Sequence, residues 1–122
     1  MANATAIIPL SGSTQGKPIK VVQTSTAGTT IHTTGTSATV VDRITLYAFN
    51  SHSADLLLTL EWGGATVPDQ NIVQTITFKT GLTLLVDNLP LLGNGSVALT
   101  VKAFAASGNL ITISGFVLRV TP

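Results

Sequence analysis

Apolar and polar residues alternate with a period of two along several stretches of this chain, the pattern of β-strands with one buried face. Ile44, Leu46 and Ala48 fall on one side of such a stretch, with Arg43, Thr45, Tyr47 and Phe49 on the other. Leu56, Leu58, Leu60 and Trp62 form a second row, opposed by Leu57, Thr59 and Glu61. Val97, Leu99, Val101 and Ala103 form a third, and Ile111, Ile113 and Val117 a fourth, broken at Gly115, where a bulge or close packing is expected. Weaker strand signals cover residues 19–23, 72–78 and 82–86. The apolar run 56–60 also fits a short helix, but Asn50-Ser51 and Gly63-Gly64 on either side leave room only for a short element, which favours a strand.

The breaks between these rows carry turn chemistry: Gly16-Lys17-Pro18, Asn50-Ser51-His52-Ser53, Val67-Pro68-Asp69, Gly93-Asn94-Gly95 and Ser107-Gly108-Asn109. Short strands at such regular spacing predict an all-β chain, a single β-sandwich or jelly-roll-like domain. Twenty threonines agree with this, because a β-branched side chain packs well on a pleated surface and loses freedom in a helix. Residues 1–16 are uncharged and end in a Ser-Gly-Ser linker, so they are expected to form an extended N-terminal arm before a sandwich over 17–122. Residues 24–39 hold eight threonines and no charge; they fit a mobile loop, an edge hairpin around Ile31, or a strand pair lying on a neighbouring subunit.

Composition then narrows the function. Only 9% of the residues are charged against 44% hydrophobic, and the net charge is +1. Soluble domains usually devote about a quarter of their residues to charge, and so sparse a complement protects a free monomer poorly against association. Much of the surface is therefore expected to be covered by other subunits. The six basic residues are scattered, which argues against nucleic acid as a partner. No apolar stretch approaches a transmembrane span and no signal-peptide pattern opens the chain, so no membrane partner is expected and the protein is expected to be soluble and made inside the cell. With no cysteine, thiolate chemistry and disulfides are excluded.

Candidate catalytic groups are few. His32 and His52 lie in Thr- and Ser-rich turn contexts without metal-ligand spacing. Ser51, His52 and Asp55 supply the residue types of a nucleophilic triad but crowd into one turn and lack a G-x-S-x-G elbow. The carboxylates Asp42, Asp55, Glu61, Asp69 and Asp87 show no local pairing of the kind a glycosidase uses, and Asp42 and Asp87 suit strand-end turns. No enzyme activity, metal or cofactor is expected. Glu61-Trp62-Gly63-Gly64 is the most distinctive tetrapeptide. Trp62 fits a core cap; exposed, it would stack on a sugar or anchor an interface.

The opening MANATAIIPLSGSTQGKPIKV, the stretch RITLYAFNSHSADLLLTLEWGG and the closing ITISGFVLRV resemble a group of small tailed-bacteriophage virion proteins of the capsid decoration or cement kind. That resemblance spans nearly the whole chain, with LEWGG its most distinctive motif, and brings no catalytic motif. It implies a small β-sandwich that binds the outer capsid shell, bridges neighbouring copies of the major capsid protein and associates with its own copies as a dimer or trimer. Such a protein is made in the host cytoplasm and carried on the virion surface. Ile7, Ile8, Pro9 and Leu10 of the arm, with Ile31 and Trp62, are the candidate interface residues. Tail, fibre or vertex proteins of the virion, and a sugar-binding adhesin module built on Trp62, are the alternatives.

Overall fold

The computed structural model describes residues 3–122 and folds them into two packed antiparallel sheets, with no helix among the described residues that is long and apolar enough to cross a membrane. The strands are β1 (Ala4–Pro9), β2 (Ile19–Lys20), β3 (Thr29–Thr33), β4 (Val41–Asn50), β5 (Leu56–Trp62), β6 (Asn71–Ile76), β7 (Thr83–Leu91), β8 (Thr100–Ala105) and β9 (Ile111–Thr121). One sheet has the order β1-β9-β4-β7, with β2 also on β9; the other has the order β3-β8-β5-β6. The expected all-β sandwich is the observed fold.

Its topology follows from the pairing. β5 pairs with β6, β4 with β7, β3 with β8 and β2 with β9, each antiparallel. The chain is thus one long hairpin, turned between β5 and β6 and rolled up so that successive pairs alternate between the two sheets. That is a jelly roll. The rolling also explains why Gly93-Asn94-Gly95 does not close a hairpin. It links β7 in one sheet to β8 in the other, and the Asn94 side chain accepts hydrogen bonds from the Ser96 and Val97 amides to hold the arch.

The alternating rows meet between the sheets. Ile44, Leu46 and Ala48 of β4 and Ile111, Ile113 and Val117 of β9 face Leu58 and Leu60 of β5 and Val101 and Ala103 of β8, all buried. The run 56–60 is strand, as its length required. The third row starts later than its sequence pattern: β8 begins at Thr100, and Val97 is exposed in the loop before it. The break at Gly115 is close packing. The β4–β9 register runs without a shift from Val41↔Val120 to Asn50↔Ile111, and a methyl group on Gly115 would collide with the Thr45 carbonyl oxygen.

Residues 4–9, within the segment expected as an arm, lie along β9 as β1, from Ala4↔Thr121 to Pro9↔Phe116. Leu10 then turns into the core. The loop that follows straps the second sheet. The Gly12 amide donates to the Ile31 carbonyl at 3.0 Å, and the Ser11 hydroxyl accepts from the Thr33 amide at 2.7 Å. Backbone groups that edge strand β3 would otherwise present to solvent are satisfied in this way, a standard protection of a sheet edge.

Candidate functional site

Two places on the molecule carry unusual chemistry: a polar cluster buried between the sheets and the outer face of the β1-β9-β4-β7 sheet.

The cluster is built by strand phase. Asp42 precedes Ile44 by two residues and so shares its inward side, and Arg119 follows Val117 by two and does the same on β9. The register sets these two opposite each other. The guanidinium grips the carboxylate with two bonds, Nε to Oδ1 at 2.7 Å and Nη2 to Oδ2 at 2.9 Å, the paired geometry that arginine forms best. From the other sheet, His32 Nε2 meets Asp42 Oδ2 at 2.7 Å. A register shift between Thr30 and His32 lets the consecutive residues Ile31 and His32 both be buried. His32 Nδ1 accepts the Ser11 amide proton at 3.1 Å, which fixes the ring as the tautomer protonated on Nε2. Strands β3, β4 and β9 and the loop after β1 are thereby tied through one carboxylate.

Asp42 and His32 are each 1% exposed, while the Arg119 side chain keeps about a third of its surface in water. Burial pushes the Asp42 carboxyl up, but the hydrogen bonds from Arg119 and His32, with the Arg119 charge, outweigh it and hold the group below the ordinary carboxylate range. The bond to Asp42 raises Arg119 in turn, against its own desolvation. A carboxyl depressed in the folded state stabilises the fold above its unfolded pKa of about 3.9, and that contribution is lost as pH falls through the folded value. The urea midpoint is therefore expected to fall between about pH 5 and pH 2, and the gap between the wild type and Asp42→Asn to close over the same range. A gap that stayed constant with pH would show that the Asp42 charge contributes nothing.

The cluster binds its own chain together and leaves no atom of His32 or Asp42 for a substrate. The Ser11 hydroxyl faces the Thr33 amide and not the imidazole, so the three residue types do not form a proton relay. The candidate triad is likewise dispersed into turn contacts. Ser51 Oγ donates to the Leu110 carbonyl, the His52 amide to Asn50 Oδ1, and Asp55 accepts from the Phe78 amide. Among the described residues there is no pocket and no group of three His, Asp or Glu side chains placed to hold a metal. Glu61 is buried although it lies on the outward phase of β5. Residues 26–28 fold over it, with the Gly28 amide on Oε1 at 2.6 Å and the Thr26 hydroxyl on Oε2 at 2.8 Å.

The candidate interface residues separate by burial. Ile31 and Leu10 are core residues, and Ile8 and Trp62 are half-buried and packed against the core. Ile7 and Pro9 stand exposed, on the side of β1 that faces away from the second sheet. They open a continuous outer face. Ile7, Leu118, Arg43 and Pro90 form one row across β1, β9, β4 and β7; Pro9, Phe116 and Thr45 form the next; Ser114, Tyr47 and Leu84 follow. Ile7 is 75% and Leu84 47% exposed, and the aromatic rings of this face are half-buried. At Thr45 the ladder to β7 shifts, and Asp87 sits over the threonine hydroxyl. Arg43 and Asp87 are exposed and take part in no ion pair among the described residues.

From the sequence, His32 and Asp42 of the cluster and Ile7, Pro9, Arg43 and Tyr47 of the outer face stood out, but Arg119, Phe116, Leu118 and Leu84 did not, and neither place was assembled. Extending the core rows by two positions at one end would have put Asp42 and Arg119 inside as a pair. No family model matches this chain, and no curated protein or solved structure matches it.

Proposed function

We propose that this protein is a structural subunit of a tailed-phage virion, a decoration or cement protein that binds the outer capsid shell and bridges neighbouring major capsid subunits. The observation that carries this is the apolar outer face of the β1-β9-β4-β7 sheet, which leaves Ile7, Pro9, Leu118 and Tyr47 on the solvent side of a charge-poor chain. Apolar side chains gathered on one outer sheet face, here around Arg43 and Thr45, mark a candidate binding surface. The jelly roll is a fold that viral capsid domains use, which is support by analogy alone. In this role the molecule works mechanically and needs no cofactor. Ile7 and Pro9 are the arm residues available to a capsid subunit, and many copies turn modest contacts into firm attachment.

A sugar-binding adhesin built on Trp62 is less favoured, because the ring packs against the core and no groove opens beside it among the described residues. A tail, fibre or vertex position would use the same surface in fewer copies. The deciding measurement is the ratio of this chain to the major capsid protein in purified particles. A ratio near one, or a simple fraction of it, is expected; a few copies per particle would move the protein to the tail or a vertex, and absence from particles would end the virion proposal.

A further inference from the structure

We infer that the outer face of the β1-β9-β4-β7 sheet is a self-association surface, and that its occupant is the same face of a second copy related by a two-fold axis. It rests on the same face as the capsid reading and concerns the isolated chain: a second copy covers the face in the free protein, and a capsid subunit would have to displace it.

Three observations converge on a second copy. The first is charge. On adjacent strands of this face stand a cation, Arg43, and an anion, Asp87, in no ion pair among the described residues, while Lys20 of β2 lies at the rim. A two-fold contact makes each residue meet its counterpart reciprocally, so a face with one charge of each sign is complementary to itself. Arg43 of one copy can answer Asp87 of the other, twice over. The second is area. Strands of 6, 11, 10 and 9 residues, spaced at ~4.8 Å with ~3.3 Å per residue, cover roughly 600 Å² per copy. A pair then buries about 1,200 Å², the lower bound of a stable specific interface. The third is shape. Twisted sheets stack face to face at about 10 Å in the aligned packing of a sandwich, and Ile7, Pro9, Leu84 and Pro90 stand exposed along this face. The opposite sheet is unsuited to such stacking. Leu57 and Val73 are exposed on it, but residues 26–28 lie over Glu61 and break its surface.

Ile7, Leu118, Phe116, Tyr47 and Leu84 supply the apolar contact, with Lys20 of β2 at one corner of the rim. The test is sedimentation of the purified chain over a concentration series. A reversible dimer with a dissociation constant in the micromolar range is expected. Leu84→Glu, on a half-exposed side chain, should weaken it by more than about tenfold, and Arg43→Glu by about tenfold, because like charges then face each other. The exchanged pair Arg43→Glu with Asp87→Arg should restore affinity to within about threefold. A monomer at every concentration overturns the inference and releases the face to a different protein; a dimer indifferent to these variants overturns the choice of face. The capsid stoichiometry stands or falls separately, on particles.

Discussion

Asp42→Asn is expected to destabilise the fold by about 2–4 kcal/mol and to lower the melting temperature by roughly 10 °C. The substitution keeps shape and removes the charge. Its amide nitrogen would present hydrogens either to the Arg119 guanidinium or to His32 Nε2, both of which donate to the carboxylate in the wild type. Buried donors would then face donors, and unmade hydrogen bonds of this kind cost more than made ones contribute. Losses at the top of the range for a broken buried pair are not expected, since a third of the Arg119 side chain already reaches water and can be solvated there. Urea unfolding near neutral pH measures the effect. A loss under about 1 kcal/mol would mean that this end of the sandwich is wet and that the three side chains do not act together.

Gly115→Ala is expected to be at least as damaging, about 3 kcal/mol or enough to abolish soluble folded protein. Gly115 lies opposite Leu46 in the central β4–β9 ladder, and the added methyl group would run into the Thr45 carbonyl oxygen, with Leu46 Cα close behind at 3.2 Å. Backbone atoms cannot rotate away as a side chain can. β9 would have to part from β4 in mid-strand, and β1 and β2, which pair with β9, would move with it. Gly35→Ala is the control, because nothing lies within 4 Å of the added carbon and the backbone there is in no left-handed conformation. It should fall within about 0.5 kcal/mol of the wild type. Thermal melts of the two variants side by side decide the matter: equal melts would remove close packing as the reason for glycine at 115.

Strands β4, β5 and β9 were legible because apolar core residues recur at every second position in each, even where an outward side chain is covered too, as at Thr45, Thr59 and Glu61. β1 was not. Its sequence ATAIIP has no alternation, as only Ile8 of the strand reaches the core side and the remaining positions are exposed. A frayed arm and an edge strand write the same pattern when neither is covered, and the register with β9 becomes visible only in three dimensions. One consequence is experimental. Removing residues 1–10 would uncover the β9 edge and take Leu10 from the core, so substitutions at Ile7 probe the surface more cleanly than truncation does. β3 was legible only as one option around Ile31, because its bulge buries two consecutive residues and breaks the period that a strand is recognised by. The polar cluster was hidden for a different reason. His32 and Asp42 lie ten residues apart and Arg119 another seventy-seven along, and charges at strand ends suggest turns until the register shows that they face each other indoors.

The pairing of β1 with β9 also decides how the molecule bears force. Ala4 lies opposite Thr121, so the outer ends of the two strands emerge side by side from one end of the sheet. Tension applied between those two points pulls across the ladder and opens its bonds one pair at a time, as a zipper opens. Tension entering through the broad face, with β1, β9, β4 and β7 held together, loads every ladder at once. A subunit gripped by its strand ends would peel at low force, and the same subunit gripped by its face would be stiff.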